Sequence, residues 1–464
     1  MLDFEFLKQT FTELTFFKDK TWQYSPSSLA LSSEVTDEIK KIGEACFEFL
    51  NGINKLYQFS KANKSILRNK DLIVPWVADY FDRGKPEKLL RHANLAFLKH
   101  TTPSIIRLDL LLTEEGIALT EIEVIPGGIG FTSFLYQIYE KQEGKLIGSS
   151  EEMLSGFYET MVSLVPNKEN PVVVIGVSQE SETYRPEFEW LANELRKSGK
   201  EVYCIDPENF FYENSKLKFK FNDRTIDIDV IYRFFELFDL GTIETSSILM
   251  EAVEKEEVVI SPPLKPIFEE KLCLALFHHY QLQDYWQETL KKENFELLKG
   301  VIPLTWIIDG EYFGPNAVLN GPTINSKWLR SWEQLSEATQ KNRNYIIKIS
   351  GFHERAWGAR SITLGSDCSQ EIWASKIKEA LDNDKKHPYI IQEFKKPKSI
   401  VHPLYESTGK ISSEPLRARL CPYYMKNFSE IGLKGILATL CPADKKIIHG
   451  MSVATFIPCK STEM

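Results

Sequence analysis

Cysteine is sparse and unpatterned. The chain has seven (Cys46, Cys204, Cys273, Cys368, Cys421, Cys441, Cys459), an odd number, and no two form a CxxC. That argues against a disulfide framework and a zinc module and points to a reducing, cytoplasmic setting. No apolar run approaches the ~18 residues of a membrane helix. The N-terminus, MLDFEFLKQTFTEL, has acids among its first residues where a signal peptide has an apolar core. Neither a membrane span nor secretion is expected. A basic surplus is missing too: Lys and Arg total 56 against 65 Asp and Glu, for a net charge of −9. That balance does not suit a whole-protein grip on nucleic acid. GxGxxG, GxxxxGK[ST], HExxH and GxSxG are also absent, which removes the usual support for dinucleotide, Walker-type, zinc-protease and serine-hydrolase readings.

What is present is an ordinary globular composition. The 464 residues are 43% hydrophobic, 26% charged and 12% aromatic, enough for about three domains. Residues 1–100 show helical spacing, as in Val35–Phe59, and carry no chemical motif. Residues 104–125 change to alternation on both sides of TEEG, a hairpin signature. PGGIG at 126–130 ends it as a flexible glycine loop, followed by a helix from about Thr132 to Tyr139. PVVVIG (171–176), a helix at 186–199 and EVYCID (201–206) make a βαβ unit and hence a parallel sheet. IDIDVIYRFF (226–235) is expected as one further strand of that sheet. VVISPPL (258–264) is a strand ending at two prolines, and 268–281 a helix. Beyond 295 the chain alternates: strand 344–350, a glycine-containing loop 351–362, a helix near 370–383 and strand 388–394. Tail strands fall near Arg417–Tyr424, Gly435–Leu440 and Met451–Phe456.

The hairpin carries the strongest chemistry. Residues i and i+2 of a strand share a face. If the hairpin folds symmetrically about Glu115, Asp109 lies opposite Glu121 and Arg107 opposite Glu123. Ile106, Leu108, Leu110, Ile122 and Val124 then point to a core. Three carboxylates and one guanidinium gather on one face, and carboxylates held close resist being charged together. A magnesium ion would resolve that conflict, with Arg107 free to meet a phosphoryl group or an oxyanion. The same residues also suit an exposed ribbon face with one Arg–Glu pair.

Lys348 ends the apolar strand YIIK. The loop after it contains Gly351, His353, Glu354, Arg355, Trp357, Gly358 and Arg360, and suits either a cover for phosphates or a surface turn. Gln392 and Glu393 end the strand YIIQEF, facing an adenine edge or simply leaving the sheet. Lys271 opens a helix after a proline-terminated strand. His278 and His279 point to different helix faces and are structural.

These segments, in this order, resemble the circularly permuted ATP-grasp ligases. The closest likeness is to the synthetase half of glutathionylspermidine synthetase-like proteins. The resemblance covers roughly residues 100–464 and rests on RLD (107–109), EIE (121–123), DVIYRFFE (229–236), SPPLKPIFEEK (261–271), YIIK (345–348) and YIIQEF (389–394). It implies an α/β (α+β) fold in four parts. Residues 1–100 form a mostly helical N-terminal region and 101–165 the hairpin and helix of the ATP-grasp body. Residues 166–260 form a small parallel-sheet pre-ATP-grasp domain, and 261–464 the lid subdomain and the rest of the body. It further implies magnesium at Asp109, Glu121 and Glu123, and catalytic roles for Arg107, Arg360 and a late arginine facing the site, Arg419 or its neighbour Arg417. ATP would fall to Lys271, Lys348, Gly351, Trp357, Gly358, Gln392 and Glu393, with 351–361 as the phosphate lid. The reaction would join a small carboxylate to an amine through an acyl phosphate. A kinase using the same nucleotide site, or a non-catalytic nucleotide-binding protein, would carry the same residues. Two departures stand out. The third metal position is usually asparagine in the glutathionylspermidine enzymes and is Glu123 here, and their amidase half has no counterpart in this chain. Neither glutathione nor spermidine carries over, and the oligomeric state is not legible.

Overall fold

The structure, a computed structural model, describes residues 1–13, 16, 21–310, 319, 321–356, 358, 360–450 and 453–462. Its centre is a sheet drawn from both ends of the chain. Across it the strands run Leu29–Ser32, Thr455–Thr462, Glu430–Pro442, Ile411–Asn427, Ile105–Thr113 and Gly116–Glu123, and Ser399–Tyr405 also pairs with Ile411–Asn427. Leu29–Ser32 is parallel to Thr455–Thr462, and the other pairs are antiparallel. The N-terminal region is therefore not helix alone. Leu29–Ser32 is one strand of the sheet because the apolar Leu29 and Leu31 alternate with exposed partners and face the core.

One face of this sheet packs on the helix Ser33–Lys61, whose N-terminus is capped by the Ser32 side chain. Tyr424 Oη donates to Ile39 O at 2.6 Å. A Cβ on Gly43 would sit 2.0 Å from the Tyr424 ring, so only glycine lets helix and strand approach this closely. The other face is covered near Gly435 by the helices Ile129–Glu143 and Ser150–Val162. There a Cβ would meet Tyr136 at 2.9 Å and Met153 at 3.0 Å. Towards Arg419 the same face is polar.

A second, parallel sheet runs Val259–Ser261, Val230–Phe234, Val173–Val177 and Val202–Ile205. The expected single strand 226–235 is broken. Asp229 Oδ2 accepts from Val172 N at 2.9 Å, and Asp229 N bonds back to Val172 O at 3.1 Å. This clamp sends Arg224–Asp227 into a separate antiparallel sheet with Lys216–Phe221. A third sheet joins Thr305–Ile308, Tyr389–Glu393, Tyr345–Ile349 and Thr363–Leu364. It is backed by the helix Gln370–Asn383 through Trp373, Ile377 and Ala380. The helix expected at 268–281 is also interrupted. Lys271 N and Leu272 N donate to Ser350 O and Ser350 Oγ, both at 2.9 Å, so the α-helix runs only Leu272–His278. The last tail strand, expected near Met451–Phe456, runs Thr455–Thr462, and residues 451–452 lie outside the described residues. Among the described residues no helix is long and apolar enough to cross a membrane.

The glycine loop departs from expectation in use. The helix begins at Ile129, inside PGGIG, and Gly128 has φ 86°. Its polar groups are taken by protein. Glu187 accepts from Gly128 N at 2.6 Å and from Phe131 N at 2.9 Å. Gly127 O accepts from Tyr423 Oη at 2.8 Å, and Pro126 O from Tyr232 Oη at 3.0 Å. The loop is a joint between the two sheets. Glu187 comes from the helix Arg185–Lys197 beside the parallel sheet, and is 1% exposed.

Burial pushes the Glu187 carboxyl up to about 7, against the opposing pull of the two N–H donors. The folded protein thus holds this proton more tightly than the unfolded chain. The stabilisation from that proton is fully present below about 4.5 and is lost as pH rises through about 7. Glu187→Gln opposes one N–H with an NH2 and is expected to cost about 1–3 kcal/mol in urea unfolding. The margin of wild type over the variant should narrow between about pH 5 and about pH 8; a widening margin contradicts the assignment.

Candidate active site

The hairpin strands Ile105–Thr113 and Gly116–Glu123 meet at a two-residue turn, with Thr113 opposite Gly116. Continued without a break, that register would set Asp109 opposite Thr120 and turn the acids of the second strand to the other face. A bulge between Asp109 and Leu110 restores Asp109 opposite Glu121 and Arg107 opposite Glu123. Thr120 is the extra residue, its Oγ1 donating to Asp109 O at 3.0 Å. The expected register is therefore the observed one, reached through a bulge and not a symmetric turn. Ile106, Leu108, Leu110 and Val124 are buried on the opposite side, with Ile122 partly so.

Asp109 is 5% exposed. Arg107 Nε donates to its Oδ1 at 3.2 Å, and Arg419 Nη1, from the neighbouring strand, to its Oδ2 at 2.8 Å. Burial pushes this carboxyl up, but Arg419 and Arg107 together outweigh burial and hold it below the usual range. Arg107 Nη1 reaches Gly127 O at 3.4 Å. Glu121 pairs with Lys271 at 3.0 Å, and Lys271 Nζ also donates to Ala356 O at 2.8 Å. Burial pulls Lys271 down, and Glu121 more than reverses it. Glu123 accepts from Ile125 N at 3.1 Å and is raised, first by burial, with Glu121 adding to it against Arg107. Lys348 donates to Gln392 Oε1 at 3.0 Å and Thr120 O at 3.3 Å; burial lowers it.

Arg107, Asp109, Glu121, Glu123, Lys271, Lys348 and Arg419 thus converge on one side of the hairpin. The other candidates divide. Gln392 is 1% exposed and holds Lys348 and Thr305 Oγ1. Its side chain is internal support, not a free edge for adenine. Glu393 is half-buried and pairs with Lys395 at 3.3 Å. Gly351 is buried where a Cβ would lie 2.4 Å from Glu269 O, so its smallness serves packing under the Lys271 turn. Gly358, at φ 66°, and Arg360 are exposed, and Trp357 lies outside the described residues. Among the described residues no group of three His, Cys, Asp or Glu side chains is gathered to hold a metal ion. Asp109, expected as a metal ligand, has each oxygen on a guanidinium.

A cavity beside the hairpin is lined by Glu121, Glu123, Glu236, Glu269, Glu270 and Lys271, among others. Glu269 bonds Arg233 at 2.6 Å, and Glu270 pairs with Lys85 at 2.5 Å with both side chains fully buried. Burial and the neighbouring Glu269 push Glu236 far up. Sequence reasoning gave these residues no role, although FEEK (268–271) and YRFFE (232–236) lay inside the quoted motifs. Glu270 also bonds the Ser350 hydroxyl. Lys85, the Lys271 turn and the end of the Lys348 strand are therefore tied at one carboxylate.

With this geometry in view, the comparisons with known proteins add a fold. The chain matches no protein-family model and no curated protein. It is similar to the apo structure of a glutathione synthetase-like effector from Globodera pallida, at TM-score 0.54 and 10% identity over 95% of this chain and 90% of that one. A putative gamma-glutamylcysteine synthetase from Methylobacillus flagellatus KT aligns at TM-score 0.40 and 13% identity over 78% of this chain and 81% of that one. The mixed α/β architecture is thus one shared with a glutathione synthetase-like structure.

Removing one member of a buried pair strands the other charge. Lys85→Met is expected to lose roughly 3–5 kcal/mol in urea unfolding. Lys85→Met with Glu270→Leu should lose less than the single variant; additive losses would mean the two groups are not coupled.

Proposed function

We propose that the chain is an ATP- and magnesium-dependent carboxylate–amine ligase with a circularly permuted ATP-grasp arrangement. The four-part division given above is kept as its domain plan. The observation that carries this reading is the hairpin face, where two arginines share Asp109 while Lys271 and Lys348 arrive from two other elements.

The residues present suit the groups required. Glu121 and Glu123 are the carboxylates left for magnesium once Asp109 is given to the arginines, and magnesium commonly takes one or two carboxylates with phosphate and water completing its shell. The metal would neutralise charge on the nucleotide phosphates. Lys271 and Lys348 would bind those phosphates. Their present partners, Glu121, Ala356 O, Gln392 and Thr120 O, aim them at the hairpin. A substrate carboxylate oxygen would attack the terminal phosphorus of ATP, expelling ADP. Arg107 and Arg419 would stabilise the charge developing there, locked in direction by Asp109. An amine nitrogen would then attack the carbonyl carbon of the acyl phosphate, phosphate leaving and the amine giving up a proton. Such chemistry needs cations and a closed site rather than a protein nucleophile. The buried, raised thiol of Cys421 agrees with that. The fold likeness to a glutathione synthetase-like effector supports the same class without naming a substrate.

The test is thermal unfolding with a non-hydrolysable ATP analogue, with and without magnesium. Binding to the native state alone stabilises it by about 2.7 kcal/mol at a hundredfold excess over the dissociation constant. A magnesium-dependent shift is expected in wild type and is expected to be reduced in Glu121→Gln and Lys348→Ala. Asp109→Ala strands two guanidiniums and should lower the unfolding midpoint as a broken buried pair does; the fraction that stays folded should lose ADP release in the presence of acid and amine. No shift in wild type overturns the reading, and a stable phosphorylated product without an amide replaces it with a kinase.

A further inference from the structure

Next to the hairpin, the polar face of the central sheet carries a cation, Arg417, that no carboxylate among the described residues pairs with. Arg417 and Arg419 stand two apart on the strand Ile411–Asn427 and so share a face. Arg419 spends one nitrogen on Asp109, and its buried Nε has no partner. Arg417 is half-buried, and its buried Nε and Nη1 meet no acceptor. No ion pair reaches it among the described residues. Thr439 sits directly across from Arg419 on Glu430–Pro442. It is 0% exposed, and its Oγ1 is unpaired too. Buried polar groups are normally satisfied, and a charged group less often goes without than any other. Here three side chains on neighbouring rungs of one sheet face hold unspent polar atoms together.

The sheet order says which substrate would meet these atoms. Lys271 and Lys348 touch the hairpin's outer strand, at Glu121 and Thr120. Arg417 and Thr439 lie inward of Asp109, on the two strands beyond it. Neighbouring strands are about 4.8 Å apart, so the outer strand and Thr439 are separated by roughly 14 Å. Nucleotide and inner face are thus on opposite sides of the Arg107–Asp109–Arg419 group. Positive charge there repels an ammonium and attracts an anion. Along the strand Arg417 is roughly 7 Å from Arg419.

We infer that Arg417, with Arg419 and Thr439, forms an anion subsite for a second carboxylate of the acid substrate. This subsite lies about one strand dipeptide away from the carboxylate that reacts. It rests on the ligase reading, and defines the acid as one with two anionic ends.

The test measures thermal shifts in the presence of magnesium and the non-hydrolysable ATP analogue. The probes are the α,ω-dicarboxylates from glutarate to suberate, each paired with the monocarboxylate of equal chain length. Wild type is expected to bind at least one dicarboxylate tenfold or more tightly than its monocarboxylate partner. Arg417→Ala should erase that preference and Arg417→Lys retain part of it, with the nucleotide shift unchanged in both. The unliganded midpoint of Arg417→Ala should fall little, because among the described residues its buried Nε and Nη1 meet no acceptor. Equal binding of both acid types by wild type, or an intact preference in Arg417→Ala, overturns the subsite while leaving the nucleotide reading in place. Loss of the nucleotide shift in Arg417→Ala also overturns it, by making Arg417 a nucleotide contact. No nucleotide shift in wild type overturns the ligase reading itself.

Discussion

The carboxylate of Asp109 is the point on which the site depends. It lies at the junction of the hairpin and the strand Ile411–Asn427, and takes one guanidinium from each. Two arginines brought this close would repel each other without it. Each guanidinium keeps donors in reserve, because a carboxylate with two oxygens cannot occupy five N–H groups on each arginine. Asp109 therefore keeps two cations together and fixes where they point.

The second constraint is a one-residue irregularity. The bulge after Asp109 shifts the register so that the acids of the second strand join the arginines instead of the core. The extra residue, Thr120, offers its carbonyl to Lys348, so the bulge also orients a cation from the third sheet. Glu187 works in parallel at the hairpin's far end, where it ties the glycine loop to the helix beside the parallel sheet.

Much of this was legible from local pattern. Alternation announced the hairpin and which residues share its face. The βαβ rhythm announced the parallel sheet, and YIIK and YIIQEF each announced a strand; that the two pair in the third sheet came only with the structure. What escaped reading depends on partners far away in the chain. Asp229 breaks a strand by bonding to Val172, and Ser350 shortens a helix by taking the amides of Lys271 and Leu272. Lys85 finds Glu270 across more than a hundred and eighty residues of chain. The glycine loop was legible as glycine but not in its use. A missing Cβ permits close approach by a ligand and by a neighbouring helix alike, and here Tyr423 and Glu187 occupy the space.

The make-up of the central sheet has a consequence for how the chain reaches this state. Its first strand, Leu29–Ser32, pairs with its last, Thr455–Thr462, and the hairpin waits for Ile411–Asn427. Contacts so distant in sequence close late and slowly. A growing chain would hold the hairpin's apolar side and open strand edge through most of its synthesis, while the local βαβ unit could already be packed. The parallel sheet, which grips the glycine loop through Glu187, is then the natural early scaffold. The chemistry-bearing face would form last of all, so that an incomplete chain could present the lysines but never the paired arginines.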